Sequence, residues 1–171
     1  LWEKANRRLR DGLTTRQMIL KSNVKTVCST DDPADDLRYH QKLRDAGDFP
    51  VKVLPSFRPD QALDVRNPGF AAYLQRLGQA AGVLVNNLAT LKDALANRLA
   101  FFDAMGCRVS DHAFAYVPYA EADETVVAGI LTRALTGGAI SRGEEEQYKT
   151  HLLQYLAALY TKYGMVMQLH I

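Results

Sequence analysis

Polar residues follow four short apolar runs of the sequence, and their types are those that transfer protons, bind metals and recognise anions. The first run leads to Asp31 and Asp32, the second to Arg58, the third to Asp111–His112 and the last to His170. Near neutral pH, a histidine or an aspartate can exchange a proton or bind a divalent metal, and an arginine fork matches a carboxylate. If the runs are parallel strands, the four groups lie at one end of the sheet and predict a single site there.

His170 is the main candidate for a metal ligand or an acid–base group. It ends the apolar run Gly164–Ile171, which predicts a strand buried on both faces with a polar group at its carboxyl end. The alternative is a core histidine whose hydrogen bonds are satisfied. Asp111 and His112 are neighbours on a predicted strand, so their side chains point to opposite faces and at most one of them faces the site.

Arg58 and the two aspartates of the first cluster each have a structural alternative. Arg58 either pairs with Asp60 as a loop arginine or clamps a substrate carboxylate. Asp32 is predicted to be the N-cap of a helix whose first position is Pro33, and Asp31 is then left to orient another site residue. The other histidines and three tyrosines fall on predicted helices and are expected to pack or to lie on the surface: His40, His151, Tyr155, Tyr160 and Tyr163.

Short apolar strands alternate with longer amphipathic helices along the chain. Strands are predicted at residues 24–28, 51–54, 107–110 and 165–171. Helices are predicted at residues 1–21 with a break near Gly12, 34–47, near 60, 68–81, 88–105, 123–137 and 141–163. Three helices end on a glycine just before a strand, and Ser141 and Glu144 form a capping-box pattern. This alternation requires right-handed crossovers and a parallel sheet.

Two architectures accommodate this order of elements, a doubly wound sheet or half of an eight-stranded barrel. No glycine-rich phosphate loop follows any strand, which argues against a nucleotide-binding fold. The polar residues at the strand ends favour the barrel. The predicted fold class is therefore α/β, with parallel βα repeats that form part of a (β/α)8 TIM barrel.

Composition narrows the classes of protein to which the chain can belong. Its 171 residues carry 21 basic and 19 acidic side chains in an interspersed pattern, which predicts neither a nucleic-acid nor a membrane partner. No apolar run approaches the roughly 18 residues of a membrane span. Cys28 and Cys107 lie in strand-like runs and are expected to be reduced and buried, as in a cytoplasmic enzyme. The first residue is Leu1, and we expect a piece of a longer protein.

Four motifs of the sequence are specific in combination. They are Val27-Cys-Ser-Thr-Asp-Asp-Pro33 with Tyr39-His40, Pro55-Ser-Phe-Arg-Pro-Asp60, Gly106-Cys-Arg-Val-Ser-Asp-His112 and Val166-Met-Gln-Leu-His-Ile171. In these residues and in their order, the chain resembles uronate isomerase (glucuronate isomerase), a divergent branch of the amidohydrolase superfamily.

The resemblance implies a (β/α)8 barrel that interconverts D-glucuronate with D-fructuronate and D-galacturonate with D-tagaturonate. It also implies one divalent metal, usually zinc. Asp111 and His170 match catalytic positions of the family and Arg58 a substrate-binding position, whereas His112 and His170 are weak candidates for metal ligands. The expected partner is a small hexuronate, and homo-oligomerisation stays open.

The resemblance also implies that residues 1–171 are the central portion of one barrel domain. The family's His-x-His after the first barrel strand, a nearby tyrosine and the aspartate after the last strand have no counterpart in this sequence. The 171 residues alone are therefore expected to be inactive. Two alternatives remain: a metal-dependent hydrolase of the same superfamily that uses His112 and His170 as ligands, and a non-catalytic α/β binding module.

Overall fold

The computed structural model describes all 171 residues as four strands and eight helices. The strands are β1 (Thr26–Asp31), β2 (Lys52–Phe57), β3 (Val109–Ala113) and β4 (Val166–His170). The helices are α1 (Trp2–Arg10), α2 (Thr15–Lys21), α3 (Arg38–Ala46), α4 (Asp60–Leu63), α5 (Phe70–Ala81), α6 (Leu88–Ala104), α7 (Glu124–Leu135) and α8 (Arg142–Tyr163). None of the helices combines the length and apolarity needed to span a membrane.

The four strands form one parallel sheet in the order β1-β2-β3-β4, which confirms the predicted topology. Because neighbours in the sheet are also neighbours in sequence, each helical crossover returns the chain to the adjacent position. β1 and β4 are the outer strands. The predicted burial of the last strand on both faces is wrong in this structure, since nothing covers its outer edge and Val166, Leu169 and Ile171 are exposed.

The first three strands each end three residues later than predicted, so that β1 includes Asp31 and β3 includes Asp111 and His112. β2 continues through Pro55 to Phe57. The backbone N–H of Lys52, at the start of β2, donates to the carbonyl of Lys25, and that of Arg58, just after β2, donates to the carbonyl of Asp31. The even-numbered N–H groups therefore face β1. The nitrogen of Pro55 therefore faces β3, where pairing begins only at Phe57, and its missing N–H leaves no ladder bond unmade.

The segment between β1 and α3 is the main error of the helix prediction. The helix begins at Arg38 and not at Pro33, and Asp32 caps a turn instead of a helix. Three aspartates each accept the backbone N–H two residues further on, at 2.8–3.0 Å, in the pairs Asp32–Ala34, Asp35–Leu37 and Asp36–Arg38. These Asx turns compete successfully with helix formation because they satisfy the same backbone donors locally.

Arg98 on α6 fixes this segment from the core side. Its guanidinium is buried and donates to the carbonyls of Pro33 at 2.6 Å, Asp35 at 2.8 Å and Ala80 at 2.9 Å. Burial lowers the pKa of Arg98. A buried cation with carbonyl partners from two segments ties the β1–α3 connection to the helical layer.

The main core lies between the sheet and helices α5 to α8 and contains 25 buried apolar residues. Phe57 at the end of β2 is fully buried, with its ring edge-on to Phe102 at 5.2 Å and to Tyr160 at 6.3 Å. The predicted capping box at Ser141 and Glu144 is present at the start of α8. These contacts fix the ends of β2 and β3 relative to α8, and those ends carry the polar residues.

Both cysteines are free, as predicted, but only one of them is buried. Cys107 lies in the core just before β3, and burial raises the pKa of its thiol. Cys28 is exposed because β1 is an outer strand, so its predicted burial is wrong in this structure.

Candidate active site

The carboxyl ends of β2, β3 and β4 bring three of the predicted site residues together. Asp111 is at the centre: its Oδ2 lies 3.4 Å from Nη1 of Arg58, and its Oδ1 lies 3.0 Å from Nδ1 of His170. The Asp111 side chain is nearly buried, whereas the His170 side chain remains 55% exposed and the Arg58 side chain 32%. A partly shielded cation, carboxylate and imidazole therefore share one end of the sheet.

The contact with Asp111 places His170 beside a carboxylate without a hydrogen bond. Asp111 Oδ1 and His170 Nδ1 are 3.0 Å apart, but Oδ1 is buried and has no hydrogen-bond partner, so the contact is electrostatic. At the other side of the ring, Nε2 lies against the side-chain amide of Gln168. The imidazole ring is therefore held between a carboxylate and an amide at the mouth of the sheet.

The predicted pairing of Arg58 with Asp60 is confirmed, and the clamp on a substrate carboxylate stays a prediction. The Nε of Arg58 donates to Asp60 Oδ2 at 2.7 Å, as a loop arginine would, and its Nη1 also reaches Asp111. The hydrogen bond to Asp60 raises the pKa of Arg58 further, so the guanidinium stays charged. Nη2 has no hydrogen-bond partner in the protein, which leaves its two N–H groups for an anion.

His112 faces the opposite side of β3 from Asp111, in agreement with the predicted alternation. Its side chain is fully buried, its Nε2 lies 3.2 Å from the hydroxyl of Tyr160, and its ring stacks on Phe114. Burial lowers the pKa of His112 to about 4, so it is neutral at pH 7. The structure thus places this weak metal candidate in the core, where it contacts none of Arg58, Asp111 and His170 directly, although the charges of Asp111 and Arg58 still affect its pKa.

Asp31 belongs to a second cluster at the end of β1, with Ser29 and His40. The hydroxyl of Ser29 lies 2.7 Å from both Asp31 Oδ2 and His40 Nε2. Its single proton goes to the carboxylate, so His40 donates to the serine oxygen and does not take its proton. The trio therefore lacks the proton direction of a nucleophilic triad. It holds Asp31 in place, and Asp31 also accepts the backbone N–H of Ser56 at 3.2 Å.

Asp32 is occupied by three donors of the fold. It accepts from the N–H of Ala34 at 2.8 Å, the amide of Gln61 at 2.9 Å and the hydroxyl of Tyr73 at 3.2 Å. Burial raises the pKa of Asp32, and these hydrogen bonds oppose the increase. Neither carboxylate oxygen is free, so Asp32 is a structural residue here, as its predicted capping role implied, although it caps a turn.

Two contacts of Asp60 and Tyr160 are not indicated by the sequence pattern, namely those to Ala113 and His112. The pattern indicates Asp60 only as the partner of Arg58 and Tyr160 only as a packing residue. Both make contacts to residues about 50 positions away in sequence. The only local signal was a carboxylate two residues after an arginine in a loop, a spacing too common to indicate a function.

No group of three or more histidine, cysteine, aspartate or glutamate side chains is arranged to hold a metal within these 171 residues. The position of His170 suits a metal ligand, because its Nδ1 lies beside a carboxylate and its side chain is 55% exposed at the mouth. His112 does not share this geometry, since its two ring nitrogens face Tyr160 and Asp60.

The sequence and the fold are both similar to those of uronate isomerases. A family model described as glucuronate isomerase matches residues 1–171. The uronate isomerase of Clostridium acetobutylicum is 45% identical over 99% of this chain, and that of Bacillus velezensis is 47% identical over all of it. The chain spans only 36–37% of the length of these relatives.

Two solved structures share the architecture. Uronate isomerase from Thermotoga maritima superposes over 99% of this chain and 37% of its own, with a TM-score of 0.92 and 28% identity. Glucuronate isomerase from Caulobacter crescentus, at 22% identity and a TM-score of 0.84, shows the same fold over 94% of this chain and 33% of its own. The predicted class, parallel βα repeats that form part of a barrel, is confirmed. By the full-length match to the family model and the identity to these relatives, the chain belongs to the glucuronate isomerase family.

Proposed function

We propose that the protein containing these residues is an aldose–ketose isomerase of hexuronates. It would interconvert D-glucuronate with D-fructuronate and D-galacturonate with D-tagaturonate. Membership of the family supports the proposal. The observation that carries it is the contact of one carboxylate, Asp111, with both Arg58 and His170 at the carboxyl end of the sheet.

The reaction sets three requirements for the site. A proton moves between C2 and C1 of the open-chain sugar through an enediol, so a base must lie near these carbons. Charge develops on the C1 and C2 oxygens and needs electrostatic stabilisation. The C6 carboxylate needs a cation that distinguishes a uronate from a neutral sugar.

Arg58 suits the third requirement. Its Nε is already bound to Asp60, so a substrate carboxylate would approach the end of the guanidinium, at Nη1 and Nη2. The two protein carboxylates keep the guanidinium in place before the substrate binds. The side chain is one-third exposed, which allows an anion to reach it.

His170 and Asp111 suit the other two requirements. The Asp111 carboxylate lies 3.0 Å from Nδ1 and favours a proton there, and Nε2 would exchange its contact with Gln168 for a sugar oxygen or a metal. A divalent metal, when bound, would polarise the sugar oxygens. His170 is the residue of this chain that would hold it, and we propose zinc as that metal.

We further propose that residues 1–171 are the central section of a single barrel domain in a cytoplasmic protein. Both outer strands of the sheet have open edges, which further strands of a barrel would pair. The chain also spans little more than a third of the length of its relatives. Two free cysteines, one of them exposed, support a reducing compartment.

An assay of the full-length protein tests the proposed function. With zinc present, D-glucuronate and D-galacturonate should each yield the corresponding ketose. The Asp111→Asn variant should lose about 10–100-fold in kcat/KM, because it no longer orients His170 as a carboxylate does. The matched control Asp103→Asn, which removes only a surface pair with Arg108, should retain normal activity. Ester or amide hydrolysis without ketose formation would favour the hydrolase alternative and refute the isomerase proposal.

A further inference from the structure

The carboxylate of Asp60 connects the segment after β2 to the end of β3. Its Oδ2 accepts from Nε of Arg58 at 2.7 Å and from the backbone N–H of Ala113 at 3.2 Å. Its Oδ1 is buried without a hydrogen-bond partner and lies 3.8 Å from Nδ1 of His112. One side chain thus contacts a candidate substrate-binding residue, the backbone of the neighbouring strand and a core histidine.

We propose that Asp60 is a positioning residue that sets the guanidinium of Arg58 for the substrate carboxylate. A hydrogen bond at Nε restricts rotation of the guanidinium plane, and the Ala113 bond fixes Asp60 itself relative to β3. Asp111 alone would hold only Nη1, at the longer distance of 3.4 Å. Without Asp60, Arg58 would keep its charge but lose its orientation.

His112 and Tyr160 support Asp60 from the core. Nδ1 of His112 and Oδ1 of Asp60 are both buried, neither has a hydrogen-bond partner, and they lie 3.8 Å apart, beyond hydrogen-bond distance. A proton on Nδ1 would face the carboxylate, and Nε2 would then accept from the hydroxyl of Tyr160. Burial keeps His112 neutral, so one ring nitrogen carries a proton and the other does not. The ring therefore acts on Asp60 through an electrostatic contact.

The inference rests on the proposed function, because Arg58 is the group that would hold the substrate. The alternative is that Asp60 serves only to stabilise the start of α4. That helix has four residues and ends before Asp64, whose side chain bonds only to Asn67. A purely structural Asp60 would change the stability of the full-length enzyme and leave the kinetics of the folded fraction unchanged.

A double-mutant cycle in the full-length enzyme separates the two roles. Asp60→Ala should lower kcat/KM about tenfold to a hundredfold, whereas Asp64→Ala at the other end of α4 should not. In an Arg58→Met background, Asp60→Ala should cost less than about threefold, because its effect passes through Arg58. Equal losses in both backgrounds, or normal kinetics in the single variant, would overturn the proposal. Asp60→Asn, which keeps one acceptor oxygen, should retain more activity and replaces Asp60→Ala if that variant does not fold.

A crystal structure of the full-length Asp60→Ala variant, or of Asp60→Asn in its place, tests the geometry without an assay. The guanidinium of Arg58 should leave its contact with Asp111, and an unchanged guanidinium would refute the positioning role. If the wild-type enzyme does not isomerise uronates, the proposed function fails, and this structure still decides the role of Asp60.

The support from His112 can be tested by choosing which ring nitrogen is mimicked. Asparagine places its amide nitrogen near the position of Nδ1, and glutamine near that of Nε2. His112→Asn should therefore keep Arg58 in place and retain more activity than His112→Gln. The reverse order would show that His112 does not act through Asp60.

Discussion

Two polar clusters at the same end of the sheet differ in how much hydrogen-bonding capacity they leave free. At the end of β1, both oxygens of Asp32 are occupied by donors of the fold, and Ser29 and His40 hold Asp31. At the ends of β2 to β4, Nη2 of Arg58 has no hydrogen-bond partner, and Nε2 of His170 contacts only the side-chain amide of Gln168. We therefore expect the Arg58–Asp111–His170 cluster, and not the cluster at the end of β1, to bind substrate.

The contrast within β3 has the same cause. Asp111 and His112 are adjacent, yet one lies at the mouth and the other in the core, because side chains alternate along a strand. Asp111 contacts the partly exposed side chains of Arg58 and His170, whereas His112 lies between Tyr160 and Asp60. Four changes in the full-length protein test these comparisons.

The largest effect is expected for His170→Ala. Loss of an acid–base group or metal ligand should lower kcat/KM by about 10²–10⁴-fold. Stability should change little, since the side chain is more than half exposed. His151→Gln on α8 is the matched control and should keep its activity. Wild-type kinetics in His170→Ala would remove the open cluster from the reaction.

The second effect concerns the buried side of β3. The pKa of His112 is lowered in the folded protein, so the unfolded state binds more protons between pH 6.5 and about 4. Stability from this residue is present above pH 6.5 and is lost as the pH falls through that window, by up to about 3 kcal/mol. The charged and polar groups that face the ring are Asp60, Asp111, Arg58 and Tyr160.

Urea unfolding across this pH range measures the effect. His112→Asn should reduce the slope of the unfolding free energy against pH. The pKa of His151 is also lowered by burial, but this histidine is only half-buried, so His151→Gln should reduce the slope less. An identical slope in His112→Asn and the wild type would contradict the assignment.

The third effect is expected for Arg58→Met, which removes the proposed partner of the substrate carboxylate. Catalytic efficiency should fall at least about tenfold, or roughly 1.4 kcal/mol, and Arg58→Lys should recover little, since a point charge does not reproduce the guanidinium fork. Arg108→Met, which loses a surface pair, is the control. If Arg58 only pairs with Asp60, turnover in the methionine variant will be near normal.

The smallest effect is expected at the end of β1. Asp32→Ala should lower the unfolding free energy by about 1 kcal/mol, because a turn cap and a partner of Tyr73 are lost. Activity of the folded protein should stay within about twofold of wild type. A tenfold loss with an unchanged fold would give Asp32 a place in the site and would break the contrast between the clusters.

The sequence by itself determined the βα order, the glycine and capping-box helix ends, and three residues of the candidate site. These signals are local: the Ser141–Glu144 box and the stop at Gly164 depend on neighbours within four positions. The family motifs added the barrel and the implied chemistry, because they occur in a fixed order along the chain.

Only the tertiary structure decided where the strands end and which polar groups stay free. Pro55 lies within β2 because pairing with β3 begins beyond it, and Arg98 holds the chain after Asp32 through the carbonyls of Pro33 and Asp35. The role of Asp60 depends on contacts to Ala113 and His112, some 50 residues away. Such contacts follow from strand register and crossover packing, which residues close in sequence do not encode.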